Sequence, residues 1–192
     1  MRLAAAVLLL LGTPALADGI RGTCGFRFSA TSTLHDFAGA GTCRPFSAPL
    51  LRDAEGKSVL AMVDVEVPVA EMSTGNDKRD REMRTMFQSD RHPAIRASAR
   101  DVDTGALRGR AAADPEGKAP LQITLTIRGV ERTIDATVNH LETEGGRVAC
   151  DIAFPVSLKE FDLKPPSVLG IIRVGDRVDV TARITFDLVQ EP

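Results

Sequence analysis

The sequence predicts an all-β domain whose antiparallel strands close into a barrel or pack as a two-sheet sandwich. Apolar and polar residues alternate with a period of two over several long segments, and this period is typical of strands with one buried and one solvated face. Short turns join most of these segments, which favours antiparallel neighbours. Closure into a barrel would also remove the exposed strand edges.

The first strands surround a predicted turn at residues 30–35. They cover residues 22–29 and 36–43. A longer strand follows, and one of its faces carries Val59, Ala61, Val63, Val65, Val67 and Val69. Residues 94–100 and 106–112 are weaker strand candidates, as are residues 22–29 and 36–43. The pattern thus predicts roughly eight or nine strands.

The C-terminal half carries the clearest alternation. Leu121 to Ile127 alternates with polar residues, and Gly129 then marks a turn into the next strand. The apolar faces of these strands consist of Leu121, Ile123, Leu125 and Ile127; Val130, Ile134, Ala136 and Val138; Val148, Cys150, Ile152, Phe154 and Val156; and Val178, Val180, Ala182, Ile184, Phe186 and Leu188.

One segment, residues 76–90, has helical rather than strand periodicity. Met83, Met86 and Phe87 follow helical spacing among charged residues. Asn76 or Asp77 can cap the start, and His92-Pro93 is expected to end the helix. We expect a short amphipathic helix, inserted between two strands, that covers one mouth of the barrel.

The N-terminus has the pattern of an export signal. Met1-Arg2 provides a positive charge, residues 3–11 are apolar, and Ala15-Leu16-Ala17 matches the small-x-small cleavage pattern. We predict a signal peptide at 1–17 that is cleaved after Ala17, one domain at 18–192, and a periplasmic location. The apolar run is too short to span a bilayer, so no transmembrane segment is expected.

Composition argues against several classes of partner. The chain has 24 Lys and Arg residues against 26 Asp and Glu, a net charge of −2, which disfavours nucleic acid as a partner. It contains no Trp and no Tyr, and this disfavours sugar-binding and base-stacking sites, which depend on flat aromatic faces.

Recognised catalytic and metal-binding patterns are missing from the sequence. His35, His92 and His140 are far apart without metal-ligand spacing, so we predict no metal site, although His35 and His92 could meet in the fold. No nucleophile elbow or Gly-rich phosphate loop occurs. We therefore expect no catalytic residues and no cofactor.

Small residues at inward positions open the question of an internal cavity. They are Gly39, Gly41, Ala97, Ala99, Gly109 and Ala111. An eight-stranded barrel either packs solid or holds one small ligand. Two interpretations stay open: Phe26, Phe28, Phe37 and Phe154 fill the space, or a ligand does.

The predicted helix also carries a basic cluster, Lys78, Arg79, Arg81 and Arg84. These side chains are either ordinary solvated charges or a rim that binds an anionic head group. In the second case, we predict Arg79, Arg81 and Arg84 as the head-group residues.

An ordered set of motifs resembles the YceI-like family. The set spans most of residues 18–192 and consists of residues 32–37 (STLHDF), 72–80 (MSTGNDKRD), Met83, Phe87, 92–95 (HPAI), 121–129, 164–170 (KPPSVLG), Asp176 and Val178. The resemblance implies an eight-stranded antiparallel lipocalin-like barrel in the periplasm. It also implies an elongated apolar bore that binds a polyisoprenoid or a similar long-chain amphiphile, without catalysis.

With this resemblance, we predict a carrier or binding protein for a long-chain isoprenoid or other lipid. The predicted ligand-contacting residues are Phe26, Phe28, Phe37, Val63, Val65, Val67, Met83, Met86, Phe87, Ile95, Ala97, Ile123, Leu125, Ile152, Phe154, Ile184 and Phe186. Two alternatives are a periplasmic lipid-modifying enzyme and a redox or structural partner module that uses a free thiol.

The three cysteines occur in the predicted exported part, where disulfides form. If residues 22–29 and 36–43 form a hairpin, a turn centred near Thr33–Leu34 places Cys24 directly opposite Cys43. A turn centred one residue earlier makes them diagonal neighbours. We predict a Cys24–Cys43 disulfide across a non-hydrogen-bonded pair, with Cys150 as a free thiol that points inward.

Overall fold

Nine antiparallel strands form one sheet that closes on itself. The computed structural model describes residues 18–33, 35–165 and 174–190; the predicted signal peptide lies outside the described residues. The strands are β1 (Asp18–Ser32), β2 (Phe37–Thr42), β3 (Phe46–Arg52), β4 (Ser58–Pro68), β5 (Ala94–Asp103), β6 (Ala119–Ile127), β7 (Val130–Glu144), β8 (Arg147–Ser157) and β9 (Val174–Gln190). The helices are α1 (Asp77–Phe87) and α2 (Thr104–Ala113).

Closure depends on β1, which pairs along both of its edges. One edge pairs with β9 from Asp18↔Gln190 to Ala30↔Val178. The other edge pairs first with β3 and then with β2, so these two short strands share one position in the wall. The described sheet therefore has eight positions around the barrel, and the predicted eight-stranded antiparallel barrel is confirmed.

The two ends of the barrel differ in what covers them. At the α1 end lie the C-terminus of β1, helix α1 and the β6–β7 turn. At the α2 end lie the N-terminus of β1, the β3–β4 turn and helix α2. Among the described residues, no helix is both long enough and apolar enough to cross a membrane.

Residues 106–112, predicted as a strand, belong to helix α2 instead. The segment is rich in Ala, Leu and Arg, which have high helix propensity, and the Asp103 carboxylate accepts a hydrogen bond of 2.8 Å from the Ala106 N–H at the helix start. Gly109 and Ala111 are therefore not inward strand positions. Ala111 is buried on the helix and Gly109 is exposed.

The inward face of β4 switches parity near its start. Val63 borders the interior as predicted, but so does Leu60, whereas Val59 and Ala61 do not. The neighbouring strand β5 contains Asp101 with a left-handed φ of 51°, which breaks the regular alternation at this level. Val69, predicted on the same strand face, is buried in a 3₁₀ turn that follows β4.

Gly39 and Gly41 face inward, but they do not widen the bore. The ring of Phe28 lies where a side chain at Gly39 would be, and a Cβ at Gly41 would lie 2.6 Å from Cζ of Phe26. Each ring covers the glycine directly opposite it in the β1–β2 ladder. The rings of Phe26 and Phe28 thus pack against the barrel wall and do not extend across the interior.

Helix α1 forms as predicted but ends earlier than expected. The Asn76 side chain accepts a hydrogen bond from the Arg79 N–H, which caps the helix start. The helix ends at Phe87, and Gln88 follows with a left-handed φ of 51° and donates its N–H to the last turn. The prediction that His92-Pro93 ends the helix is therefore wrong.

The predicted Cys24–Cys43 disulfide is present. β1 and β2 pair in the register that places the two cysteines opposite each other, and their Cα atoms lie 5.3 Å apart. The Cys43 N–H donates to the Cys24 carbonyl at 3.0 Å, so the site is hydrogen-bonded and the predicted non-hydrogen-bonded site is wrong. Cys150 is a buried free thiol.

A first prediction concerns the glycine under Phe28. We expect Gly39→Ala to lower the free energy of unfolding by about 1–3 kcal/mol, because the added methyl group overlaps the ring. Gly25→Ala is the control, since a Cβ there meets no atom within 4 Å. Urea denaturation measures both variants, and equal stabilities would contradict the packing described.

A second prediction concerns the disulfide. We expect a Cys24→Ala, Cys43→Ala double variant to lose roughly 3 kcal/mol of unfolding free energy, because the cross-link restricts the unfolded chain. A reductant should destabilise the wild type but not the double variant. If the reductant left the wild type unchanged, the bridge would not contribute to stability as proposed.

Candidate ligand cavity

The barrel encloses an apolar cavity of about 930 Å³ that reaches from the α1 end to the α2 end. This volume is at the upper end of the range for small-molecule pockets, roughly 300–1,000 Å³. All eight wall positions contribute inward side chains. The interior is therefore an elongated space and not a solid core.

Every residue predicted to contact a ligand borders this cavity. The set unites the inward faces of the strands with Met83, Met86 and Phe87 of α1. Phe28, Met83 and Phe87 are also buried in the core cluster at the α1 end. Contact between these residues and a bound molecule stays a prediction.

Sequence reasoning missed the cavity lining at the α2 end. The missed residues include Ile20, Leu50, Leu60, Val102 and Leu107. Leu60 and Val102 lie where the strand parity changes, and Leu107 lies on helix α2, where the sequence predicts a strand. Ile20 and Leu50 lay outside the predicted strands, although Ile20 continues the alternation of β1 toward the N-terminus.

Polar groups along the cavity concentrate at its two mouths. The α1 mouth carries Ser32, His35, Thr74, Asn76, Lys78, Arg79 and Glu82, and the α2 mouth carries Arg52, Ser58, Thr104 and Arg108. Between the mouths, Ser98 is the main polar exception among the described lining residues. This arrangement suits a molecule with an apolar body and a polar end.

The three predicted head-group arginines have different environments. Arg79 borders the α1 mouth, and its guanidinium lies 5.2 Å from the centre of the Phe37 ring. Arg81 and Arg84 do not border the cavity. Arg84 instead donates to the Ala70 carbonyl at 3.4 Å.

A buried carboxylate organises the loop beside this mouth. Asp80, which is 5% exposed, accepts hydrogen bonds from the Thr74 N–H, the Thr74 hydroxyl and the Ser73 hydroxyl at 2.8, 2.5 and 2.8 Å. Burial by itself would raise the pKa of Asp80, but these hydrogen bonds and the nearby Arg84 charge lower it below its ordinary value. Asp80 is thus held ionised.

The histidines do not form a common site. His35 borders the α1 mouth, whereas His92 and His140 do not border the cavity. His140 lies within 2.9 Å of the Asp151 carboxylate. Within the described ranges, no three His, Cys, Asp or Glu side chains are grouped so that they could hold a metal ion.

Cys150 borders the cavity opposite Ile184 in the β8–β9 ladder. Burial raises the pKa of its thiol from 9.0 to about 11. The nearby Arg183 charge lowers the pKa and the Asp151 charge raises it, but both effects are smaller than that of burial.

We therefore predict slow alkylation of Cys150. At pH 8 the raised pKa reduces the thiolate fraction by about a hundredfold relative to an ordinary thiol, and the thiolate is the reacting form. Iodoacetamide labelling followed by intact-mass measurement tests this. The control is the protein unfolded in urea with its disulfide left intact. If Cys150 reacted as fast in the folded protein as in this control, the prediction would be contradicted.

Comparisons of the chain with known proteins agree with this architecture. A polyisoprenoid binding domain from Saccharophagus degradans has 15% sequence identity and a TM-score of 0.66, over 91% of this chain and 100% of that one. BcnA of Burkholderia cenocepacia has 17% identity and a TM-score of 0.62, over 84% and 95% of the two chains. At these identities the likeness concerns the fold.

The YceI protein of Campylobacter jejuni is also similar, with 17% identity and a TM-score of 0.51 over 80% of this chain and 84% of that one. No curated protein matches the sequence. The sequence profile of the YceI-like domain, however, matches residues 21–186. This match extends from the first strand of the barrel into the last, and the chain therefore belongs to the YceI-like family.

Proposed function

We propose that the protein is an exported carrier that holds a polyisoprenoid or a similar long-chain amphiphile inside its barrel. The observation that carries this proposal is the continuous apolar cavity with polar groups at its mouths. Membership in the YceI-like family supports it. So does the polyisoprenoid-binding role named for the similar domain from Saccharophagus degradans.

The energetics of burial favour such a ligand. Each buried CH₂ group contributes about 0.8 kcal/mol, so a tail of fifteen carbons gains on the order of 10 kcal/mol before the cost of ordering it. Flexible methionines at Met83 and Met86 suit a surface that adapts to chains of different shape. A rigid polar ligand would gain little from this lining.

We propose binding rather than catalysis. Among the described lining residues, the candidate nucleophiles are Cys150, the Ser98 hydroxyl and the hydroxyls at the mouths. The raised pKa of Cys150 keeps its thiol protonated near neutral pH. Of His35 and His92, the two histidines that a lipid-modifying enzyme could use as its base, only His35 borders the cavity. Turnover that is lost in His35→Gln would favour that alternative.

Export to the periplasm is part of the proposal. The Cys24–Cys43 disulfide supports an oxidising compartment, and the N-terminal sequence matches a signal peptide with cleavage after Ala17. The location agrees with the ligand class, because a lipid that crosses an aqueous space between membranes needs a shielded carrier.

The bore itself is tested by filling it. Ala97 lies in the middle of β5, between Val65 and Leu125 in the neighbouring ladders. We expect Ala97→Phe to reduce the affinity for geranylgeraniol at least about tenfold, because the ring occupies tail volume equivalent to several CH₂ groups. A fluorescence-displacement titration measures the affinity.

The matched control is Ala38→Phe, because Ala38 is exposed on β2 and does not border the cavity. It should bind geranylgeraniol like the wild type. If a folded Ala97→Phe protein retained full affinity, the tail would not occupy the bore, and the proposed function would lose its main support.

A further prediction treats α1 as a cover over one mouth. Met86 is partly exposed and borders the cavity, so Met86→Asp should weaken geranylgeraniol retention more than it lowers the melting temperature, because the charge meets the tail. Thr85→Asp, at an exposed position of the same helix, should bind normally. Global unfolding of Met86→Asp would show that α1 is part of the core and would contradict the cover.

A further inference from the structure

The α1 mouth carries two cations for which the described structure shows no ion pair. Lys78 and Arg79 both border the cavity where it meets solvent. Glu82 borders the same mouth but forms no ion pair with either within the described ranges. The charged side chains that line this mouth therefore carry a net positive charge next to an apolar bore.

The position of Arg79 is fixed by the loop that precedes α1. Its Nε–H donates to the Thr74 hydroxyl at 2.9 Å, and Nη2 donates to the Thr74 carbonyl at 3.3 Å. Its guanidinium also lies over the Phe37 ring. The described structure shows no hydrogen bond from Nη1, so this part of the planar group keeps donors that can meet a ligand.

Thr74 is in turn held by the buried Asp80. The Thr74 hydroxyl and N–H both donate to the same Asp80 oxygen. Because the Thr74 hydroxyl donates its proton to Asp80, its oxygen can accept a hydrogen bond from Arg79. Ser73 donates to the second Asp80 oxygen and is tied to β2 by backbone hydrogen bonds with Ala40. A chain of hydrogen bonds thus runs from the barrel wall to the guanidinium.

We infer that this mouth is a head-group site for an anionic amphiphile, in which Arg79 and Lys78 bind a phosphate or carboxylate and Thr74 and Asp80 position Arg79. The inference rests on the proposed function, because the tail of the same molecule occupies the bore. It also fixes the orientation of the ligand, with its head at the α1 end. Arg79 suits this role because a guanidinium forms paired, charge-assisted hydrogen bonds with both anions.

The α2 mouth is the competing place for the head group, since Arg52 and Arg108 border it. Arg52 donates to the Gly56 carbonyl at 3.2 Å, and Asp103 lines the adjoining surface recess together with both arginines. The described structure shows no ring or hydroxyl that holds Arg108. The α1 mouth is therefore the better organised of the two.

Three probes with one tail and different heads test the inference: geranylgeranyl diphosphate, geranylgeranoic acid and geranylgeraniol. We expect the full-length mature protein to bind one or both of the anionic probes at least about tenfold more tightly than geranylgeraniol. The reason is that an anionic head group can form hydrogen bonds with Arg79 in which both partners are charged, whereas the alcohol cannot. Comparing the affinities for geranylgeranyl diphosphate and geranylgeranoic acid shows whether the site prefers a phosphate or a carboxylate. The preference should weaken as salt is added.

Arg79→Gln should abolish this preference, because it should lower the affinity for the anionic probes far more than the affinity for geranylgeraniol. Arg81→Gln is the matched control, because Arg81 is on the same helix but does not border the cavity, and it should keep the preference. An unchanged preference in Arg79→Gln would overturn the inference. So would a preference lost in Arg108→Gln, since the head would then lie at the α2 mouth.

The positioning role is tested by a pair of variants at Thr74. Thr74→Val removes the hydroxyl that holds Arg79 and should lower the preference for the anionic head while geranylgeraniol still binds. Thr74→Ser keeps the hydroxyl and should restore the preference. Equal preferences in the two variants would show that Thr74 does not position Arg79.

The outcomes separate this inference from the proposed function. If the wild type bound all three probes with equal affinity, the head-group site would be refuted and the apolar carrier retained. If geranylgeraniol and both acids failed to bind at all, the proposed function would fail, and the head-group site with it.

Discussion

The pairing of β1 along both of its edges is the constraint on which the rest of the structure depends. Because β1 joins β9 on one side and β2 with β3 on the other, the sheet has to close, and closure assigns one face of each strand to the interior. The same register places Cys24 opposite Cys43. It also lays the rings of Phe26 and Phe28 over the glycines of β2. Since those rings are engaged at the wall, they do not fill the bore.

The period-two pattern was sufficient to predict most of this fold. It located the long C-terminal strands and the inward residues that border the cavity, because in a closed antiparallel sheet parity alone decides which side chains face inward. The hairpin argument placed Cys24 opposite Cys43 through its choice of turn centre, which set the register, but it predicted the wrong hydrogen-bonding type for this pair. The helical spacing of Met83, Met86 and Phe87 identified α1, although not the residue at which it ends.

The errors arose where the backbone departs from that period. At the level of Asp101, which has a left-handed φ, strand β4 changes which of its residues face the interior. A regular alternation of apolar and polar residues does not predict this change. Residues 106–112 allowed either period, and the Ala-rich composition with an Asp103 cap favoured the helix. The hydrogen bonds from Ser73 and Thr74 to Asp80 could not be predicted from the sequence alone either. They join residues seven and six positions apart through a loop whose path the sequence does not specify. Consequently, the body of the cavity and the helix at its α1 mouth could be predicted from the sequence, but the hydrogen bonds that position Arg79 and the lining at the α2 end could not.

The central claim is that the bore holds a lipid tail, and the most direct test is to ask what the protein carries when it is purified. The full-length chain should be produced with its own N-terminal segment and isolated without detergent, and its ligand should be identified by native mass spectrometry followed by organic extraction. The account predicts about one long-chain isoprenoid or similar amphiphile per protein, released by organic solvent and not by salt. A protein that is free of lipid and takes up none when incubated with total membrane lipid would contradict it.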